Sequence, residues 1–256
     1  MESATLRPAP PLTGLARVAL IGLLLALAAT AWVLTGDRMS GMDDGPGTAL
    51  GGFGWFAVSW LLMMAAMMLP SLAPAALAFG RAGERTVVAF VVGYLGAWTA
   101  AGLAGYLVFE GVRSLDVGFL AWDRAGRYVA AGVILAAAAY QFTTAKAVCL
   151  RRCRSPLTLA IEERSGVGGG LRGGIRHGGH CVGCCVALMA ALFALGVMSI
   201  TWMVLIAALI AAERLLPWRA AAVYGVAVTL AVLGIWVAVA PGDLPGLTIP
   251  DSMGIM

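Results

Sequence analysis

The chain consists of long apolar runs separated by short polar segments. The runs cover positions 15–34, 53–79, 86–109, 128–148 and 220–240, and another run at 182–212 has no charged residue in 31 positions. Most reach the roughly 20 residues that a helix needs to cross a hydrocarbon core of about 30 Å. Lipid requires every backbone amide to be satisfied internally, and continuous rather than alternating apolar runs indicate helices. We therefore predict an all-α, polytopic transmembrane helix bundle.

The run at 182–212 determines the number of spans. It is long for one helix and short for two, and Gly, Ser and Thr cluster at 196–201. We predict a break there and two short helices, with one long tilted helix as the alternative. With the N-terminus inside, seven spans place 13 of the 17 basic residues inside, whereas six spans place 11. Because cytoplasmic segments carry the excess of Lys and Arg, this distribution favours seven spans over six.

This topology divides the chain into three parts. Residues 1–14 form a cytoplasmic tail, residues 15–241 the transmembrane helical domain, and residues 242–256 a short outer tail. The first run contains Ala26, Leu27 and Ala28, which resemble a signal-peptide cleavage site, but its length favours an uncleaved anchor. We expect a multi-pass protein of the bacterial inner membrane, in contact with the lipid bilayer.

Composition agrees with this class of protein. Hydrophobic residues make up 61% of the chain and charged residues 12%, and the mean hydropathy is +0.91. A soluble domain needs a larger charged shell. The net charge of +4 comes mostly from the segment between the fourth and fifth runs, which topology explains, so we expect no nucleic-acid partner.

All cysteines and histidines lie in one part of the chain, a predicted cytoplasmic loop at 146–185. They are Cys149, Cys153, Cys181, Cys184, Cys185, His177 and His180. Cytoplasmic thiols stay reduced, which disfavours a disulfide framework. The glycine-rich sequence of the loop would let distant ligands converge.

The spacing of these residues suits helices. If the fifth helix begins near Arg176, its three cysteines share one face at i, i+3 and i+4, and Cys149 and Cys153 are likewise four residues apart. A helix N-terminus beside Arg172 and Arg176 would also favour thiolates. Two half-sites on neighbouring helix ends would then close into one thiolate–imidazole metal site. Redox thiol chemistry and ordinary packing of cysteine are the alternatives.

Methionine adds a second set of soft donors. Two i, i+4 pairs lie in the second run, and two more methionines lie in the first outer loop; they are Met63, Met64, Met67, Met68, Met39 and Met42. Thioether and thiolate ligands together select Cu(I), and zinc seldom uses methionine. We therefore expect Cu(I), with Zn as the second choice. Packing is again the alternative for these side chains.

Other chemistry has little support. The glycine-rich stretch has no phosphate-binding Gly-x-x-x-x-Gly-Lys-Ser/Thr motif. Both histidines belong to the cysteine cluster, and the acidic residues Glu110 and Glu213 lie at the edges of runs, where charges snorkel or pair. The sequence therefore favours a role without catalysis.

These motifs together resemble a known family. They are Met39 to Asp43, the methionine run ending at Pro70, Cys149 to Pro156, Arg176 to Cys185, Gly196 to Met198, and Glu213 to Pro217. The combination resembles a bacterial family of predicted metal-binding integral membrane proteins, formally a domain of unknown function, in which some members carry a copper-chaperone label. The resemblance implies metal binding, copper as the metal, and a copper donor or acceptor protein as partner.

We therefore hypothesise a membrane metal-handling protein that receives, buffers or passes Cu(I). Met39 and Met42 would capture the ion outside, the methionine pairs would relay it, and the Cys/His cluster would bind it on the cytoplasmic side. A membrane thiol–disulfide oxidoreductase and a non-catalytic assembly partner of a membrane complex are the rival hypotheses.

Overall fold

The structure, a computed structural model, describes residues 13–40, 50–114, 125–155, 166–244 and 247. This part of the chain folds into eight α-helices and one short 3₁₀ turn, so the predicted all-α class is confirmed. The helices are α1 (Gly14–Met39), α2 (Phe53–Gly80), α3 (Glu84–Ser114), α4 (Arg127–Tyr140), α5 (Thr144–Cys153), α6 (Val167–Leu195), α7 (Ile200–Leu215) and α8 (Arg219–Val239), followed by the turn Pro241–Asp243.

Five of these helices are long and apolar enough to cross a membrane. They are α1, α2, α3, α6 and α8. Helices α4 and α5 meet at a bend of 67° and make a sixth if they form one span. The seven predicted spans are not confirmed, because α7 has 16 residues and is not among the membrane-length helices of the described chain.

The predicted break near 196–201 is present. Helix α6 ends before Gly196, whose φ of 111° lies in the left-handed region that glycine adopts most readily, and Ser199 is the N-cap of α7. The two flanking helices are unequal, with 29 residues in α6 and 16 in α7.

Most of the described part of the predicted loop at 146–185 is helical, because α5 ends at Cys153 and α6 begins at Val167. Its glycines instead let α6 approach α3 closely. A Cβ at Gly170 would overlap the carbonyl of Thr86, and a Cβ at Gly174 would overlap that of Phe90. Small residues allow the same close approach between membrane helices in general.

Helix α6 is central to the fold. It packs against α3, α4, α5 and α7, while α1 packs on α2 and α4 packs on α8. Large apolar side chains, such as Leu15 and Val18 of α1 and Val228 of α8, are exposed on outer helices. Such surfaces are compatible with a lipid environment. The helix that carries three of the five cysteines thus packs against four other helices.

Candidate metal centre

Three cysteines lie on one buried face of α6. Cys181, Cys184 and Cys185 are each at most 1% exposed, as their i, i+3, i+4 spacing predicts for one face. Cys181 follows Val167 by 14 residues, which is about 21 Å along the helix. The expectation of thiols at a helix N-terminus is therefore wrong, because the end charge of a helix acts only within its first turn.

Cys153 brings a fourth sulfur to this face from the end of α5. Its Sγ lies 3.7 Å from Sγ of Cys184, and Sγ of Cys184 lies 3.5 Å from Sγ of Cys185. All five cysteines are free thiols. With metal–thiolate bonds of about 2.3 Å, as for zinc, three equivalent sulfurs around one ion lie about 4 Å apart. The predicted convergence of the two cysteine groups is thus observed, and its use for metal binding stays a prediction.

Cys149 lies at the edge of this cluster. Its Sγ packs on the backbone of Gly183, 2.8 Å from the position that a Cβ there would take. The hydroxyl of Tyr140 donates a hydrogen bond of 2.7 Å to the carbonyl of the same glycine. Cys149 is half-buried and thus more accessible than the cysteines of α6.

A cation from α7 lies among the thiols. Nη2 of Arg214 donates to Sγ of Cys181 and lies 3.5 Å from Sγ of Cys184 and 3.6 Å from Sγ of Cys185. In the sequence, this arginine was considered only among the basic residues and within the motif from Glu213 to Pro217. Its position two residues after the uncharged stretch 182–212 was the signal that could have identified it.

The same guanidinium reaches α2. Its Nη1 donates a hydrogen bond of 2.9 Å to Oγ of Ser71, which donates one of 2.9 Å to the carbonyl of Met68. Arg214 therefore connects the thiols to the methionine-bearing helix.

Two aromatic side chains of α3 also contact Cys181. Nε1 of Trp98 donates to its Sγ at 3.1 Å, and the hydroxyl of Tyr94 lies 2.9 Å from it. An indole and a guanidinium can only donate, so the sulfur of Cys181 accepts at least two hydrogen bonds. Side chains of α3 and α7 thus surround this sulfur, whereas the Cys184 thiol donates to the carbonyl of Cys181 at 3.2 Å and lies near the sulfurs of Cys153 and Cys185.

The two histidines have other surroundings. His177 is buried, with its ring centroid 5.8 Å from those of Phe90 and Tyr94. His180 is half-buried; its Nδ1 lies 2.6 Å from the carbonyl of Arg176, and its Nε2 lies 3.5 Å from Nη1 of Arg152. Among the described residues, no hydrogen bond joins either imidazole to a cysteine sulfur, and the predicted thiolate–imidazole set is not assembled as a metal site.

A buried ion pair fixes the end of α7 beside the cluster. Nζ of Lys146 lies 2.7 and 2.8 Å from the two carboxylate oxygens of Glu213 and also donates to Gln141, and all three residues are buried. Arg154 donates to the carbonyl of Glu213 at 2.9 Å. The bend between α4 and α5 is thereby joined to the residue that precedes Arg214.

The methionines belong to the hydrophobic core. The quartet on α2 is buried, as is Met39 at the end of α1, and Met42 lies outside the described residues. The quartet consists of Met63, Met64, Met67 and Met68. Their burial agrees with the packing alternative, and their use as ligands stays a prediction.

The site as it stands is not a finished metal centre. Among the described residues, no group of three or more Cys, His, Asp or Glu side chains is arranged to hold an ion. The guanidinium of Arg214 contacts all three thiols of α6, so it occupies space that an ion bound by these thiols would need.

Several long apolar helices packed around a buried group of free thiols are compatible with a helical membrane protein. The family model PpoB2, described as copper chaperone, matches residues 57–237, and the chain belongs to this family. The match contains every cysteine, both histidines and the α2 methionines, whereas Met39 and Met42 precede it. No curated protein and no solved structure matches the chain. The resemblance to a family with a copper-chaperone label is thereby confirmed, and copper is the metal that the family indicates.

Proposed function

We propose that this protein is a membrane copper chaperone that binds Cu(I) through the thiolates of Cys153, Cys184 and Cys185. The observation that carries the proposal is the spacing of these sulfurs, 3.7 and 3.5 Å between neighbours, from two different helices. Thiolates are soft ligands that suit Cu(I), and no redox change is needed to hold it. Zinc accepts the same ligands, so it is the competitor that selectivity must exclude.

The accessible thiols serve as the entry side of this site. Cys149 and Cys153 are half-buried, whereas the cysteines of α6 are buried. An ion that arrives from a partner protein meets these two thiols first and moves inward by exchange of one sulfur ligand for another. The partner is a copper donor or acceptor that presents its own soft ligands at this edge.

The protein spans the bacterial inner membrane with its N-terminus and its thiol entry side in the cytoplasm. Reduced thiols, on which Cu(I) binding depends, persist in that compartment. The α2 methionines relay the ion further, since the Met68 turn is joined through Ser71 to the arginine among the thiols.

The experiment is a Cu(I) titration of the purified protein in detergent against a chromophoric Cu(I) chelator. Cys153→Ser with Cys184→Ser should abolish tight binding, because two of the three thiolates are lost. Cys149→Ser is the matched control and should keep the wild-type stoichiometry. An unchanged stoichiometry in the double variant would remove the thiol cluster as the binding site.

The short distance from Cys153 to Cys184 also favours a second candidate, a thiol–disulfide oxidoreductase. That function requires a reversible bond between these two sulfurs, with a disulfide or quinone as the electron acceptor. Turnover of a model disulfide by the copper-free protein, lost in Cys184→Ser, would favour it over the chaperone.

A further inference from the structure

The position of Arg214 gives the thiol cluster a property beyond copper binding. Its Nη2 contacts the sulfurs of Cys181, Cys184 and Cys185, and its Nη1 is held by Ser71 of α2. The guanidinium therefore has a fixed place in which one positive charge faces several sulfurs. That is the position and the charge of a bound monovalent cation.

We propose that Arg214 occupies the place of the metal and moves aside when Cu(I) enters while staying near the sulfurs, and that its charge selects monovalent soft cations over divalent ones. This inference rests on the proposed function. Moving the side chain aside costs the same whichever ion enters, so the choice between ions comes from the positive charge that remains near the sulfurs.

The charge of Arg214 gives this preference its size. A guanidinium that stays near the sulfurs repels a divalent ion twice as strongly as a monovalent one. The charge of residue 214 therefore disfavours Zn(II) relative to Cu(I).

The surroundings allow the side chain to move while its backbone stays in place. The neighbouring Glu213 is anchored by Lys146 and by Arg154. Helix α7 ends at Leu215, and both Leu215 and Leu216 are exposed, so the end of the helix is close to the surface. The long arginine side chain can therefore leave the sulfurs without unfolding α7.

The test is the ratio of Zn(II) to Cu(I) affinities, measured by chelator competition for each ion. Arg214→Gln removes the charge, and the ratio should rise about tenfold or more, since a unit charge this close acts twice as strongly on the divalent ion. Where both ions use the same thiols, the cost of thiol ionisation cancels in the ratio. Arg214→Lys keeps the charge and should keep the wild-type ratio.

Arg219→Gln is the matched control, because it removes an exposed positive charge five residues further on and should leave the ratio unchanged. An Arg214→Gln ratio equal to that of the wild type would overturn the selective role of this charge while leaving the copper site intact. Absence of Cu(I) binding in the wild type itself would overturn the proposed function and this inference together.

A measurement on the wild-type protein covers the case in which Arg214→Gln does not fold. Phenylglyoxal modifies accessible arginines, and peptide mass spectrometry locates the adduct. Arg214 should be protected in the metal-free protein and modified after loading with Ag(I), a redox-stable mimic of Cu(I). Equal protection in both states would contradict displacement.

Discussion

At the scale of single residues, two charged neighbours at the end of α7 have separate roles. Glu213 is buried in a pair with Lys146, and Arg214 turns toward the thiols. Burying an ion pair contributes little net stability, but leaving one member alone is costly. The pair therefore matters mainly because it fixes the backbone from which Arg214 extends.

We predict that Lys146→Met destabilises the protein by about 3–5 kcal/mol, because it leaves the Glu213 carboxylate buried without its partner. Unfolding by denaturing detergent in mixed micelles measures this. Lys146→Met combined with Glu213→Leu should recover most of the loss.

The exposed pair Arg113–Glu110 provides the control. Its ion pair spans 3.8 Å between side chains that are 51% and 36% exposed. Arg113→Met should cost no more than about 1 kcal/mol, as is usual for surface pairs. Equal losses for Lys146→Met and Arg113→Met would contradict the anchoring role of the buried pair.

Part of the site could be predicted at this scale. The helical spacing of the cysteines, together with two cysteine groups on successive helices, predicted convergence, and the structure has it. Trp98, Tyr94 and Arg214 could not be predicted as neighbours of Cys181, since they come from helices whose packing no local pattern encodes. The histidines are adjacent to the cysteines in sequence, but the side chains of His177 and His180 have other partners.

At the scale of elements, the glycines of α6 determine how closely it packs on α3. Gly174 lies against the backbone of Phe90 and Tyr94, whereas Gly179 has open space where a Cβ would point. Glycine in a helix is otherwise unfavourable by about 1 kcal/mol relative to alanine. The close packing of α3 on α6 offsets that cost only where the backbones meet.

We predict opposite effects for the same substitution at these two glycines. Gly174→Ala forces α3 and α6 apart and should destabilise the protein by roughly 1–3 kcal/mol, the usual range for overpacking. Gly179→Ala should be neutral or stabilising. Thermal unfolding in detergent distinguishes them, and a stable Gly174→Ala variant would show that the interface can relax.

The apolar runs predicted most helices of the described chain, because membrane length and continuous hydrophobicity are local properties. The bend between α4 and α5 falls inside the run at 128–148, at residues that carry no proline, and was not predicted. The start of α6 was misplaced, since glycine-rich sequence is typical of loops and becomes helical here only through packing on α3.

At the scale of the whole molecule, the length of α7 bears on the number of membrane spans. Its 16 residues extend about 24 Å, less than a hydrocarbon core of about 30 Å. The distribution of basic residues still favours seven spans with the N-terminus inside.

Single cysteines in two turns test this topology. Ala82→Cys in the turn after α2, and Trp218→Cys in the turn before α8, should both react with an impermeant maleimide in inverted vesicles and not in intact cells. The wild-type protein gives the background of its native thiols. Labelling of Trp218→Cys from outside, with Ala82→Cys still inside, would establish six spans.

The most direct test of the central claim is X-ray absorption at the copper edge of the Cu(I)-loaded protein. We expect a shell of three sulfurs at about 2.3 Å, the length of a metal–thiolate bond, which is lost in the Cys153→Ser, Cys184→Ser double variant. A first shell of nitrogen or oxygen, or an unchanged sulfur shell in the double variant, would contradict it.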